Sequence, residues 1–186
     1  MSKPINVLAF CGSLRKASYN RMALKVAIAE APAGMSIGEA EIGHLPHYNA
    51  DIQAAGFPAA VTELAGRIAA ADALLFATPE YNYSMPGVLK NAIDWVSRVP
   101  NQPFAGKPAA ILGATMGLTG TVRAQLHLRQ SMIFLNMLPV NKPEVLIAQA
   151  QNKFDAEGKL ADAVTRGLIR DLMAALAAWT ERLRGG

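Results

Sequence analysis

The 186-residue chain contains a single cysteine, Cys11, so no disulfide can close within it. That points to a reducing compartment. Aromatic residues make up only 6%, and the formal charge of +4 is scattered rather than gathered into a Lys/Arg run. Neither pattern suits nucleic acid, which calls for a dense basic face with stacking rings. No stretch approaches the roughly 18 consecutive apolar residues that a membrane helix needs. The opening "MSKPINVLAFCGS" lacks a small-residue cleavage pattern and reads as a strand, not a signal peptide. Two ligand motifs are missing as well. There is no G-x-x-x-x-G-K-[ST] loop and no G-x-G-x-x-G after the first strand, which excludes the common nucleoside-triphosphate and dinucleotide cradles. The histidines of "HLPH", His44 and His47, have no third ligand nearby in sequence, so no metal site is expected.

What remains is rich in core-formers. Hydrophobic residues reach 52% against 17% charged, which excludes disorder and suits one cytoplasmic domain spanning 1–186. Strand and helix patterns alternate. Buried-strand runs occur at Ile5–Cys11, Ala71–Thr78, Lys107–Thr115 and Pro143–Gln149, with a weaker edge strand at Met35–Ile42. Helical spacing appears at Ser18–Ala31, Pro58–Ala71, Val88–Arg98, Thr121–Leu138 and Ala161–Leu183, the last with Val164, Leu168, Leu172, Leu176 and Trp179 along one stripe. Gly43–Gly56 reads as a long loop, and Ser84 with Pro86 as the start of the helix at Val88. Alternation of this kind predicts an α/β fold, a doubly wound five-stranded parallel sheet with helices on both faces. The number of units fits the flavodoxin-like order 2-1-3-4-5.

In such a sheet, ligands bind beyond the carboxyl ends of the strands where the order reverses. Three loops meet there. The first, "GSLRKASYNR" (12–21), holds Ser13, Arg15, Ser18 and Asn20 and no acid, ahead of a helix N-terminus. Side-chain donors, a cationic fork and unpaired N–H groups together describe a cup for a single terminal phosphate. The plainer alternative is a surface turn with a serine cap. The second loop, "PEYNYSMPG" (79–87), offers Pro79, Glu80, Tyr81, Asn82, Tyr83 and Ser84 to wall and bond a flat ring. The third, "MGLTG" (116–120), lets backbone approach closely at Gly117, just after Thr115. Cys11, Trp95 and Trp179 read as core, and "SMIFLNML" as core or subunit contact.

These loops resemble those of the NADPH-dependent FMN reductase family, which includes bacterial quinone and chromate reductases and some azoreductases. "GSLRKASYNR" is similar to its phosphate loop and "PEYNYSMPGVLKNAIDWVSR" to its ring loop and following helix. "LRQSMIFLNMLPVNKPEV" is most similar to the chromate/quinone reductase branch. The resemblance implies FMN as cofactor, NADPH or NADH as donor and small-molecule acceptors. It implies that Ser13, Arg15, Ser18 and Asn20 hold the phosphate and that Pro79 to Ser84 line the ring and ribityl chain. Thr115 and Gly117 would close the pocket, although "ATMGLTG" departs from the family's usual Ser or Gly-Gly. Dimers or tetramers are implied too. Arg123 and Glu144 match positions of tetramer contacts, whereas Leu126 stands where relatives carry tyrosine. No side chain is expected to act as nucleophile or general base, because a flavin carries the chemistry. Arg98, closing the helix after the ring loop, is a candidate substrate contact for chromate or a quinone oxygen. Its alternative role is to cap that helix C-terminus. A flavodoxin-type electron carrier or a flavin-binding regulatory protein is the competing reading; carriers of that class tend to be acidic, and this chain is basic.

Overall fold

Three central apolar runs do become strands. The computed structural model describes residues 3–185. Its elements run β1 (Ile5–Cys11), α1 (Tyr19–Ala29), β2 (Met35–Ala40), α2 (Ala50–Ala55), α3 (Ala59–Ala70), β3 (Ala73–Ala77), α4 (Gly87–Val96), β4 (Pro108–Ala114), α5 (Val122–Phe134), β5 (Leu138–Pro139), β6 (Val145–Ile147) and α6 (Ala163–Arg184). All strand pairs are parallel, in the order β2-β1-β3-β4-β5 with β6 also on β4. This is the expected flavodoxin-like sheet, with one difference at its edge.

The fifth strand, expected over 143–149, is split. Leu138–Pro139 pairs with the start of β4 at Pro108–Ala109, and Val145–Ile147 pairs with its end at Leu112–Ala114. Residues 141–144 leave the ladder between them. Pro139 lies within β5, where Leu138 and Val140 on either side donate to Lys107 O at 2.9 Å and Ala109 O at 2.7 Å, whereas Pro143, with no N–H to donate, falls in the break. The preceding helix is correspondingly shorter than the expected 121–138. Asn136 adopts φ 54°. Its N–H bonds Ile133 O at 3.1 Å, and the Met137 N–H bonds Met132 O at 3.0 Å. That pair of bonds is a Schellman stop with asparagine in the left-handed position. The expected loop at 43–56 also contains α2, which buries no residue and is capped by Asn49.

Side chains alternate across the sheet as a two-period requires. Val7, Ala9, Leu75 and Leu112 face α1 and α6. Leu8, Phe10, Leu74, Phe76 and Ile111 face α3, α4 and α5, with the Phe10 and Phe76 rings stacked 5.0 Å apart. Trp95 is wholly buried on that second side, and Cys11 is buried on the first. The α6 stripe is rotated from the expected one. Ile169, Leu172, Met173 and Leu176 are buried, while Val164 is 74% exposed.

Besides Asn49, two residues cap the helices that they begin. Ser18 Oγ accepts the Arg21 N–H at 3.4 Å, and Asp162 Oδ2 accepts the Thr165 N–H at 2.9 Å. Hydrogen bonds from Thr165, hydroxyl and amide, hold the Asp162 carboxyl below its ordinary value of 3.8, with Lys153 adding to the effect. A lowered folded-state value means that the stabilisation is fully present above the unfolded value and disappears as pH falls through the folded one. Asp162→Ala should therefore lose about 1 kcal/mol at neutral pH. In urea titrations the variant and parent stabilities should converge in acid; a gap that persists unchanged at low pH would contradict this.

Candidate functional site

The neighbouring carboxyl ends of β1 and β3 launch the first two loops side by side, and β4 launches the third next to them. Gly12 makes the first junction possible. A Cβ there would sit 3.2 Å from both Pro79 Cδ and Pro86 Cγ, so the glycine lets the first loop lie against the two prolines of the second. Gly113 does the same for the third. A Cβ on it would overlap Thr121 Oγ1 and lie 2.5 Å from Thr78 O.

Between the loops lies an elongated cleft in two lobes that share Arg15 and Tyr81. The polar lobe, about 230 Å³, brings together Ser13, Arg15, Ser18, Asn20, Pro79, Glu80, Tyr81 and Thr115. The other, about 450 Å³, is walled by Leu14, Tyr81, Pro86 and Val88. Eight of the residues expected from sequence thus converge. Asn82, Tyr83 and Ser84 stand outside these walls, at the rim, and so does Gly117, whose place is taken by Met116. Sequence reasoning missed Leu14 and Met116. The available signal was an apolar side chain in each of two polar loops; both are more than half exposed.

The polar lobe is a field of donors. Among the described residues, the N–H groups of Leu14, Lys16, Ala17, Tyr19 and Asn20 find no acceptor. The buried hydroxyls of Ser13 and Ser18 accept the Arg15 and Arg21 N–H groups at 3.4 Å, which leaves their protons free to donate. Arg15 and Lys16 are exposed at the rim, and the loop carries no carboxylate. Such a set has the chemistry to hold a phosphate dianion. Burial pushes the Cys11 thiol up, against the opposing Ser13 hydrogen bond, so it stays protonated beneath the loop.

One expected phosphate ligand has a different task. The Asn20 carboxamide is engaged with the backbone of Ala114: Oδ1 accepts its N–H at 2.8 Å, and Nδ2 donates to its carbonyl at 2.9 Å. Asn20 is 3% exposed, and it ties the first turn of α1 to the end of β4. It therefore fixes the third loop against the first, and only its second amide proton faces the lobe.

The ring loop closes on itself. Tyr81 and Ser84 exchange backbone hydrogen bonds at 2.9 and 3.1 Å, around Asn82 and Tyr83 at φ 50° and 67°. This is a two-residue turn of the I′ kind. The N–H groups of Asn82 and Tyr83 have no acceptor among the described residues. Ser84 does not cap α4 as expected. Pro86 is the capping residue, with no side-chain bond, and Ser84 Oγ meets His127 Nδ1 at 3.0 Å.

Arg98 is not brought to the cleft of its own chain. The helix α4 starts at the cleft and runs away from it for 10 residues, which puts Arg98 about 16 Å down its axis. There its guanidinium lies 5.4 Å from the Tyr48 ring centroid. Arg123, expected at a subunit contact, is bound within its own chain by Glu80. Glu144 is exposed. Among the described residues no cluster of three His, Cys, Asp or Glu could hold a metal, and no helix is long and apolar enough to cross a membrane.

Comparison with known proteins identifies the family. The model of the NADPH-dependent FMN reductase family matches residues 5–152. An NAD(P)H-dependent FMN reductase of Pseudomonas aeruginosa is 60% identical, with 100% of both chains covered. A quinone reductase of Escherichia coli is 44% identical over 97% of this chain and 96% of its own. Among solved structures, FerB, a flavoenzyme NAD(P)H:(acceptor) oxidoreductase from Paracoccus denitrificans, superposes with a TM-score of 0.87 at 37% identity, covering 96% of this chain and 98% of FerB. Strand order, loop chemistry and these likenesses together show that the chain belongs to the NADPH-dependent FMN reductase family.

Proposed function

We propose that this chain is an FMN-dependent NAD(P)H oxidoreductase that reduces quinones, with chromate, azo compounds and free flavin as further acceptors. The observation that carries the reading is the two-lobed cleft. A donor-lined lobe, whose one carboxylate, Glu80, is ion-paired to Arg123, adjoins a flat-walled one, which matches a ligand with a phosphate at one end and a planar ring at the other. Bound FMN supplies the hydride chemistry. The protein's part is to bind and orient. Arg15, the hydroxyls of Ser13 and Ser18 and the free amides of the first loop would hold the phosphate. Pro79, Glu80, Tyr81 and Thr115 would flank the ribityl chain, and Leu14, Tyr81 and Pro86 the ring. The unbonded N–H groups of Asn82 and Tyr83 would donate to the ring's polar edge, where negative charge develops.

The apolar lobe is open to solvent along one side, so donor and acceptor would use the same face in turn. No carboxylate, histidine or thiol lines either lobe in position to act as a proton-transfer group: Glu80 is ion-paired and Cys11 lies beneath the loop. We also propose a homo-oligomer, dimer or tetramer. One face of α5 exposes Leu126, Ile133 and Phe134, the last at 89%, and a second copy is the occupant it suits. Arg98 would meet an acceptor only from a neighbouring subunit.

Arg15→Ala should weaken FMN binding about 10- to 100-fold, the range for hydrogen bonds to a charged group, with little change in melting temperature because the side chain is exposed. Titration by flavin fluorescence checks this, and an effect within twofold would remove Arg15 from the phosphate site. Initial rates with NADPH and a benzoquinone should give parallel double-reciprocal lines; intersecting lines would rule out sequential use of one face. Phe134→Lys should shift the mass seen by light scattering toward the monomer, and an unchanged mass would clear α5 of the contact.

A further inference from the structure

The ring loop is held by a residue pair, Glu80 and Arg123, of which the phosphate-and-ring description uses only Glu80, and only as a wall. The side chain of Glu80 is 8% exposed and turns away from the cleft toward α5. Its Oε2 accepts the backbone N–H groups of Arg123 and Ala124 at 3.0 and 3.3 Å. Its Oε1 accepts Arg123 Nε at 2.6 Å. This helix needs an outside cap. Thr121 stands at its start with φ 71° and makes no side-chain capping bond. A carboxylate borrowed from another loop satisfies the free amides and the positive end of the helix at once.

The same pairing aims the guanidinium. With one edge on Glu80 and Nη2 donating to Thr119 Oγ1 at 3.0 Å, the Arg123 guanidinium carbon lies 3.7 Å from the Tyr83 ring centroid. Tyr83 needs such a partner. It is an aromatic residue at φ 67°, in the left-handed region that disfavours any side chain by roughly 1–2 kcal/mol. Two-residue turns of this kind favour Asn-Gly, and here the pair is Asn82-Tyr83. The local preference of the sequence therefore works against the turn, and contacts from α5 hold it.

We propose that Glu80 and Arg123 are positioning residues: they impose the left-handed turn at Asn82-Tyr83 and so fix its free amides beside the ring site before any ligand arrives. The part about ligand rests on the FMN reading above. The turn itself does not.

The test is a double-mutant cycle between Arg123→Ala and Tyr83→Gly, read in two ways. Tyr83→Gly creates an Asn-Gly pair that adopts this turn unaided. Arg123→Ala in the parent should weaken FMN binding about 10-fold and, in the ligand-free protein, speed amide hydrogen exchange of Tyr81 and Ser84 by at least about 10-fold. In the Tyr83→Gly background the same substitution should change both by less than about twofold. Equal effects in the two backgrounds would overturn the proposal and leave Arg123 acting by its charge alone. If the parent binds no FMN, the function proposed above fails, and exchange in the ligand-free protein still decides the turn. If Arg123→Ala does not fold, Arg123→Lys replaces it; this keeps the charge and the backbone amides on Glu80 but removes the planar group from Tyr83.

Discussion

The pairing of β1 directly with β3 is the constraint on which the rest depends. A parallel neighbour that is not next in sequence forces the chain to cross over, and the loops leaving these two strands then part toward opposite faces. The gap between them is the cleft. Registering Cys11 against Ala77 puts Gly12 beside Pro79, so the first loop lies directly against the second. Without that register the donors of the first loop and the walls of the second would not face one guest.

A cleft made from loops is only as well defined as the bonds between them. Here two polar clamps replace packing. Asn20 pins the end of β4 to the start of α1, and Glu80 pins the ring loop to α5. Both side chains are nearly buried, and each satisfies backbone groups that would otherwise be left unpaired away from water. Electrostatics follow the same division. The carboxylate nearest the cleft is neutralised by Arg123, so the field at the polar lobe comes from Arg15, Lys16 and unpaired amides. A phosphate meets donors and no competing acid.

Much of this was legible in the sequence because it depends on local patterns. Continuous apolar runs marked β1, β3 and β4, and a donor-rich, acid-free turn after the first strand marked the polar lobe. What was hidden depends on pairs far apart in the chain. Asn20 looks like one more phosphate donor until Ala114 is found beside it. Glu80 looks like part of a ring wall until α5 arrives with uncapped amides. The edge strand and α5 were misjudged for a local reason. Asn136 and Pro143 divide an apolar stretch that periodicity alone reads as a longer helix followed by one strand. The α6 stripe was misplaced because Val164 is apolar yet faces solvent.

The central claim is that this cleft passes electrons from a nicotinamide to an acceptor through FMN. The most direct measurement is anaerobic rapid mixing of the FMN-loaded protein with NADPH, and separately with NADH, while the visible flavin band is followed. The account predicts fast bleaching with at least one donor and full recovery of the band when a quinone is added. A flavin that binds tightly but stays oxidised with both donors would contradict it and leave an electron carrier or a sensor in its place.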